Sequence, residues 1–170
     1  LKTVVIISDT HCGSVYGLTP PGWISQKSPY YKLQREAWQA YKKMVRDWYE
    51  PDILIVNGDC IEGRQDKQGG AELITSDRNI QVEMAVHCIK EWRAKEIFLI
   101  YGTDYHVSTQ AEDFEYNIAN LVGGKIEGRL YLKTEGLTIE ARHKVGTSTI
   151  PHGRATALLR DLMWAMLKEA

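Results

Sequence analysis

Asp9-Thr10-His11 places a carboxylate and an imidazole two residues apart, directly after the apolar, β-branched run Val4-Val5-Ile6-Ile7. On an extended segment, residues i and i+2 point to the same side, so this pair is expected to grip one metal ion. A second acid, Asp59, follows the run Ile53-Leu54-Ile55-Val56 through Asn57-Gly58. A third run, Ile97-Phe98-Leu99-Ile100, leads through Tyr101-Gly102 into Thr103-Asp104-Tyr105-His106. Carboxylate oxygen together with imidazole nitrogen suits manganese, iron or zinc better than calcium or magnesium. Ions held this way lower the pKa of bound water and neutralise developing charge, so the expected chemistry is metal-dependent hydrolysis.

Ligand types at the carboxyl ends of successive strands require an open α/β sheet, where such ends form the binding crevice. The pattern predicts strands over residues 3–8, 53–56 and 96–101. A long loop, 10–30, follows the first; loops of that length in compact domains commonly carry function. Leu33, Ala37, Ala40, Tyr41, Met44, Val45 and Trp48 recur at helical spacing, and Pro51 ends that helix. A second helix over 76–94 carries Ile80, Met84, His87, Cys88 and Trp92 on one stripe. Thr109-x-x-Glu112 reads as a capping box opening a third helix, with Phe114, Ile118 and Leu121 inward and Gly123-Gly124 as its stop. Period-two alternation over 129–134 and 137–143, around Glu135-Gly136, predicts a hairpin. Residues 154–170 are helical again, with Leu158, Leu159, Leu162, Met166 and Leu167 apolar. The expected fold is a layered α/β domain, residues 1–170, whose second half is more antiparallel.

The chain has 170 residues, is 44% hydrophobic and carries a net charge of −1. That is enough for one domain with a real core, and it supplies no whole-chain attraction to nucleic acid or anionic membrane. No run of about 18 apolar residues is present, which excludes an obvious helical membrane span, and the first residues lack a signal-peptide pattern. Cys12, Cys60 and Cys88 are odd in number with no close pair, which fits reduced thiols and a cytoplasmic setting. Both ends look cut: the chain opens inside a strand without Met and stops inside an apolar helical pattern.

Taken together, Asp9-x-His11, Gly58-Asp59, Gly102-Thr103-Asp104-Tyr105-His106 and His143 resemble, in order and spacing, the calcineurin-like metallophosphoesterase family. Its motifs run Asp-x-His, Gly-Asp, Gly-Asn-His-Asp/Glu, a lone His after a strand, and Gly-His-x-His. The resemblance implies a β-sandwich flanked by helices and a dinuclear centre hydrolysing phosphoesters, with manganese first and iron or zinc as alternatives. It implies that Asp9 and His11 hold one ion, that Asp59 bridges, and that His143 holds the second.

Two motifs depart from the family. Strict alignment puts Thr103 at the Asn ligand position and Asp104 at the position of the proton-donating His. A two-residue shift makes His106 the acid and Asp104 a ligand. His106 is preferred for the proton role because imidazole titrates near neutrality; the ligand at this corner stays open. The final Gly-His-x-His is absent, and the expectation is a domain incomplete at its C-terminus, with weakened metal binding and little activity of its own.

Arg64, in a loop beside Asp59, is a candidate contact for substrate phosphate, with a solvated loop as the default reading. His87 reads as a packed histidine, and His152 as loop or helix start with reach to substrate. Cys12 and Cys60 adjoin metal motifs but are read as packing residues. Trp23, Tyr30 and Tyr31 could stack on a base or cover the sheet, whereas Trp38, Tyr41 and Trp48 read as core. The expected substrates are phosphodiesters, nucleic acid included, ahead of small phosphomonoesters. The competing class is a metallophosphoesterase-like scaffold that binds without turnover. A metal-free nucleotide-binding domain fits poorly, because no glycine-rich phosphate loop follows the first strand.

Overall fold

Apolar, β-branched segments form three of the four strands of the main sheet, and the central one, residues 53–57, is buried on both faces as strands inside a parallel sheet are. The computed structural model describes all residues except 66–68, 104–107, 110–111, 147–149, 151–152 and 170. In chain order the strands are β1 (Val4–Ile7), β2 (Ile53–Asn57), β3 (Glu96–Ile100), β4 (Ser108–Thr109), β5 (Glu112–Asp113), β6 (Lys125–Glu127), β7 (Leu130–Thr134) and β8 (Leu137–Ala141). The helices are α1 (Tyr31–Asp47), α2 (Arg78–Lys90), α3 (Phe114–Val122) and α4 (Thr156–Glu169). The main sheet has the order β1-β2-β3-β6, with every pairing parallel. Ile7 pairs with Val56 and Val56 with Leu99, so the first three strands end level and release their loops along one edge.

Alternation along β2 divides the core in two. Leu54 and Val56 join Trp38, Tyr41, Val45, Met84, Cys88 and Ile118 under the helices α1, α2 and α3. Ile53 and Ile55 face the other way, with Ile100, Leu130, Leu132 and Ile139 beneath the antiparallel hairpin β7–β8. The molecule is therefore layered as helices, parallel sheet and hairpin. Each fully buried aliphatic side chain in these layers contributes about 1.5–3 kcal/mol. Between α1 and α2, the Tyr41 hydroxyl donates to the Cys88 carbonyl (2.8 Å) and accepts from the Trp92 indole (2.7 Å).

The third helix starts later than the capping box predicts. Asp113 is its N-cap, its carboxylate accepting from the Tyr116 N–H at 2.9 Å, while Thr109 and Glu112 pair across the short antiparallel ladder β4–β5. Asp caps at least as well as Thr, and extended backbone at 112–113 leaves no room for the earlier start. Strand β6 was not legible as a strand: Lys-Ile-Glu is too short for a period to show. Trp48 does not join the core; it lies just past α1 and is 60% exposed. On α4, Leu158, Leu162, Met166 and Leu167 are exposed, and Arg142 at the end of the hairpin pairs with Asp161. Among the described residues no helix is long and apolar enough to cross a membrane.

Candidate metal centre

The loops leaving β1, β2 and β8 meet where the sheet ends. Asp9, Asp59 and His143 each offer one donor atom there, and these atoms lie within 4.8 Å of one another. The β1 loop is sewn to the β2 loop by backbone hydrogen bonds: Asp9 N–H to Gly58 O (3.1 Å), His11 N–H to Asp59 O (3.0 Å) and Cys12 N–H to Cys60 O (3.0 Å). Asp9, His11 and Asp59 all have positive φ, at 55°, 42° and 50°. This left-handed conformation is uncommon outside glycine, and strain of this kind concentrates at functional sites. It also corrects the strand argument for Asp9 and His11. β1 ends at Ile7, so the pair sits on a tight loop and is not presented by strand alternation. His11 lies beside the cluster without entering it, with its Nε2 3.8 Å from an Asp9 oxygen.

Asp59 is the buried member. Its Oδ2 is 3.0 Å from His143 Nε2. Its Oδ1 accepts the Thr103 N–H at 2.6 Å, and Oδ2 accepts the Thr103 hydroxyl at 3.2 Å. Thr103 thus donates twice to this carboxylate. The approach is close enough to demand glycine at two points. A Cβ on Gly102 would fall 2.3 Å from the Asp59 nitrogen and Oδ1, and one on Gly58 would fall 2.5 Å from His143 Nδ1.

The histidines are held by their far nitrogens. His143 Nδ1 donates to the Asn57 carbonyl at 2.7 Å, and His11 Nδ1 lies 2.8 Å from Glu62 Oε2. A ring anchored at Nδ1 presents Nε2 as its ligand face, the arrangement by which metal-binding histidines are usually oriented. Burial opposes charge on His143, but the Asn57 carbonyl, Asp59 and Asp9 outweigh it and raise the ring above its ordinary value of 6.5. Two carboxylates and an oriented imidazole, directed at one point, fit a divalent transition-metal ion.

Asp104 and His106, and with them the proton-donor and third-motif ligand assignments, lie outside the described residues, as does His152. Arg64 is exposed and lines a cavity with Gly69, Gly70 and Thr75, different from the one lined by Asp9, His11 and Glu62. Cys12, Cys60 and Cys88 are buried free thiols, and burial pushes the Cys60 thiol well up, which suits packing residues. His87 packs its ring against Trp38 and Trp23 and pairs with Glu91 at 3.3 Å.

Two acids escaped the motif reading. Glu62 stands three residues after Asp59 and grips both His11 and, at 2.8 Å, the Gln65 amide. Glu115 is fully buried on α3, with a carboxyl raised by burial against the opposing pull of the Gly102 and Cys60 N–H groups. A signal for Glu115 existed: it lies three residues before Ile118, on the apolar stripe of its helix.

No model of a known protein family matches the chain, and no curated protein matches it. Among solved structures, a protein of unknown function from Aquifex aeolicus superposes on 96% of this chain and 73% of its own, at 12% identity and a TM-score of 0.44.

Proposed function

We propose that the protein is a metal-dependent phosphoesterase of the calcineurin-like type, acting through two divalent ions, manganese first and iron or zinc as alternatives. The observation that carries this reading is the convergence of Asp9, Asp59 and His143 within 4.8 Å at the ends of separate strands. In the proposal Asp9 and His11 would hold one ion, His143 would hold the second, and Asp59 would serve both. Ions so placed would activate water and neutralise charge on a phosphoryl group. The residues supply the rest. Asn57 and Glu62 fix the two imidazoles, and Thr103 fixes the Asp59 carboxylate. His106 is proposed to protonate the leaving oxygen. Helices on one face of the sheet and a hairpin on the other support the layered sandwich expected of such an enzyme.

Phosphodiesters, nucleic acid included, are the proposed substrates. In support, Asp9 and His11 line a cavity of about 840 Å³ together with Tyr16, Leu18, Met44 and Trp48, room for an organic group beside the phosphate. The test is hydrolysis of bis(p-nitrophenyl) phosphate by the chain with manganese, beside Asp59→Asn. Slow turnover that disappears in the variant is expected; turnover unaffected by the variant, or none with metal bound, contradicts it. The last result would favour a binding scaffold, the second reading, for which the hydrogen bond that engages the Thr103 hydroxyl with Asp59 is the specific support.

A further inference from the structure

The two loops that cross at Asp59 share one acceptor. Glu115 Oε1 accepts the Cys60 N–H at 3.2 Å, and Glu115 Oε2 accepts the Gly102 N–H at 2.7 Å. Cys60 immediately follows Asp59, and Gly102 immediately precedes Thr103, whose own N–H and hydroxyl hold the Asp59 carboxylate. We infer that Glu115 is a positioning residue for the candidate metal centre: one carboxylate clasps both loop backbones and so fixes where Asp59 points. The inference rests on the metal-centre reading given above.

Three observations carry it. First, Glu115 is 0% exposed, and a buried carboxylate is costly unless its hydrogen bonds offset desolvation; here each oxygen takes a backbone N–H that would otherwise need another acceptor. Second, the carboxylate lies in the first turn of α3, where the helix dipole favours negative charge. The Glu115 backbone is set by its neighbours Phe114, Ile118 and Ala119, all buried in the helix-side core. Third, the crossing has no slack, since a Cβ on Gly102 would collide with Asp59. A shift of the 102–103 loop would therefore displace the donors that hold Asp59. Glutamine has only one acceptor oxygen, and its amide would face one of the two N–H groups.

The test compares Glu115→Gln with Ile118→Val, a loss on the same helix that leaves both clasp bonds intact. Manganese affinity is read by calorimetric titration and stability by thermal unfolding. Glu115→Gln is expected to weaken manganese binding about 10–100-fold, as loss of an outer-shell partner does. Ile118→Val is expected to lower the unfolding temperature and leave affinity within about threefold of the parent. Equal manganese affinity in Glu115→Gln and the parent overturns the inference. Should Glu115→Gln not fold, amide hydrogen exchange in the parent chain decides. The Cys60 and Gly102 amides should exchange as slowly as those of β2, and rapid exchange at either overturns the clasp. If the parent binds no manganese, the metal-centre reading fails and the role of Glu115 toward metal fails with it. Slow exchange would then still show the clasp itself, which separates the two failures.

Discussion

Asp59 and Asp9 close two sides of the same cluster in opposite surroundings. The Asp59 side chain is 6% exposed and is held by Thr103 and His143, in loops clasped by Glu115. The Asp9 side chain is 55% exposed, beside the Ser8 hydroxyl and at the edge strand of the sheet. One carboxylate is pre-set by protein; the other faces water and a wide cavity. A centre built this way holds one carboxylate rigidly and leaves the other open to solvent. Pre-organisation of that kind is what metal and catalytic sites need from the residues around them.

Exchanging each acid for its amide should expose the contrast. Asp59→Asn should weaken manganese binding by at least about 100-fold and lower the stability of the metal-free chain by about 1–3 kcal/mol, because half-buried donors on Thr103 and His143 lose a charged acceptor. Asp9→Asn should also weaken binding, yet change metal-free stability by no more than about 0.5 kcal/mol, as surface substitutions do. Denaturant unfolding with and without metal checks both; equal stability losses would remove the distinction between the two corners.

Glu62→Gln addresses the outer side through its histidine. It should cost about tenfold in manganese affinity by loosening His11, less than either ligand variant. A loss as large as that of Asp59→Asn would make Glu62 itself a ligand.

The smallest effect concerns protons. In the metal-free chain His143 has a raised pKa next to Asp59 and Asp9, so its imidazolium stabilises the fold. That contribution is full below the ordinary value of 6.5 and is lost as pH rises through the raised folded value. Thermal unfolding in chelator across this window should show it, and Asp59→Asn should flatten the slope. An unchanged slope would detach His143 from Asp59.

Much of the scaffold was legible because β1, β2 and β3 are dense in Val, Ile and Leu, and because Pro51 and Gly123 punctuate their helices. Asp59 and His143 could be placed by their positions after such runs. What the pattern hid is tertiary. The left-handed backbone at Asp9 and His11 is tied to the β2 loop beside it, which strand alternation does not foresee, and of the pair Asp9 enters the cluster while His11 lies beside it. The roles of Glu62 and Glu115 exist only where loops cross, although an acid on the apolar stripe of α3 was a visible irregularity. β6 acquires its strand character from pairing with Phe98, Leu99 and Ile100.

Calorimetric titration of the chain with manganese at neutral pH, repeated on Asp59→Asn, is the most direct test of the metal centre. The expected result is saturable binding of at least one ion per chain by the parent and none detectable in the variant. No binding by the parent, or the same binding by both, would contradict the account.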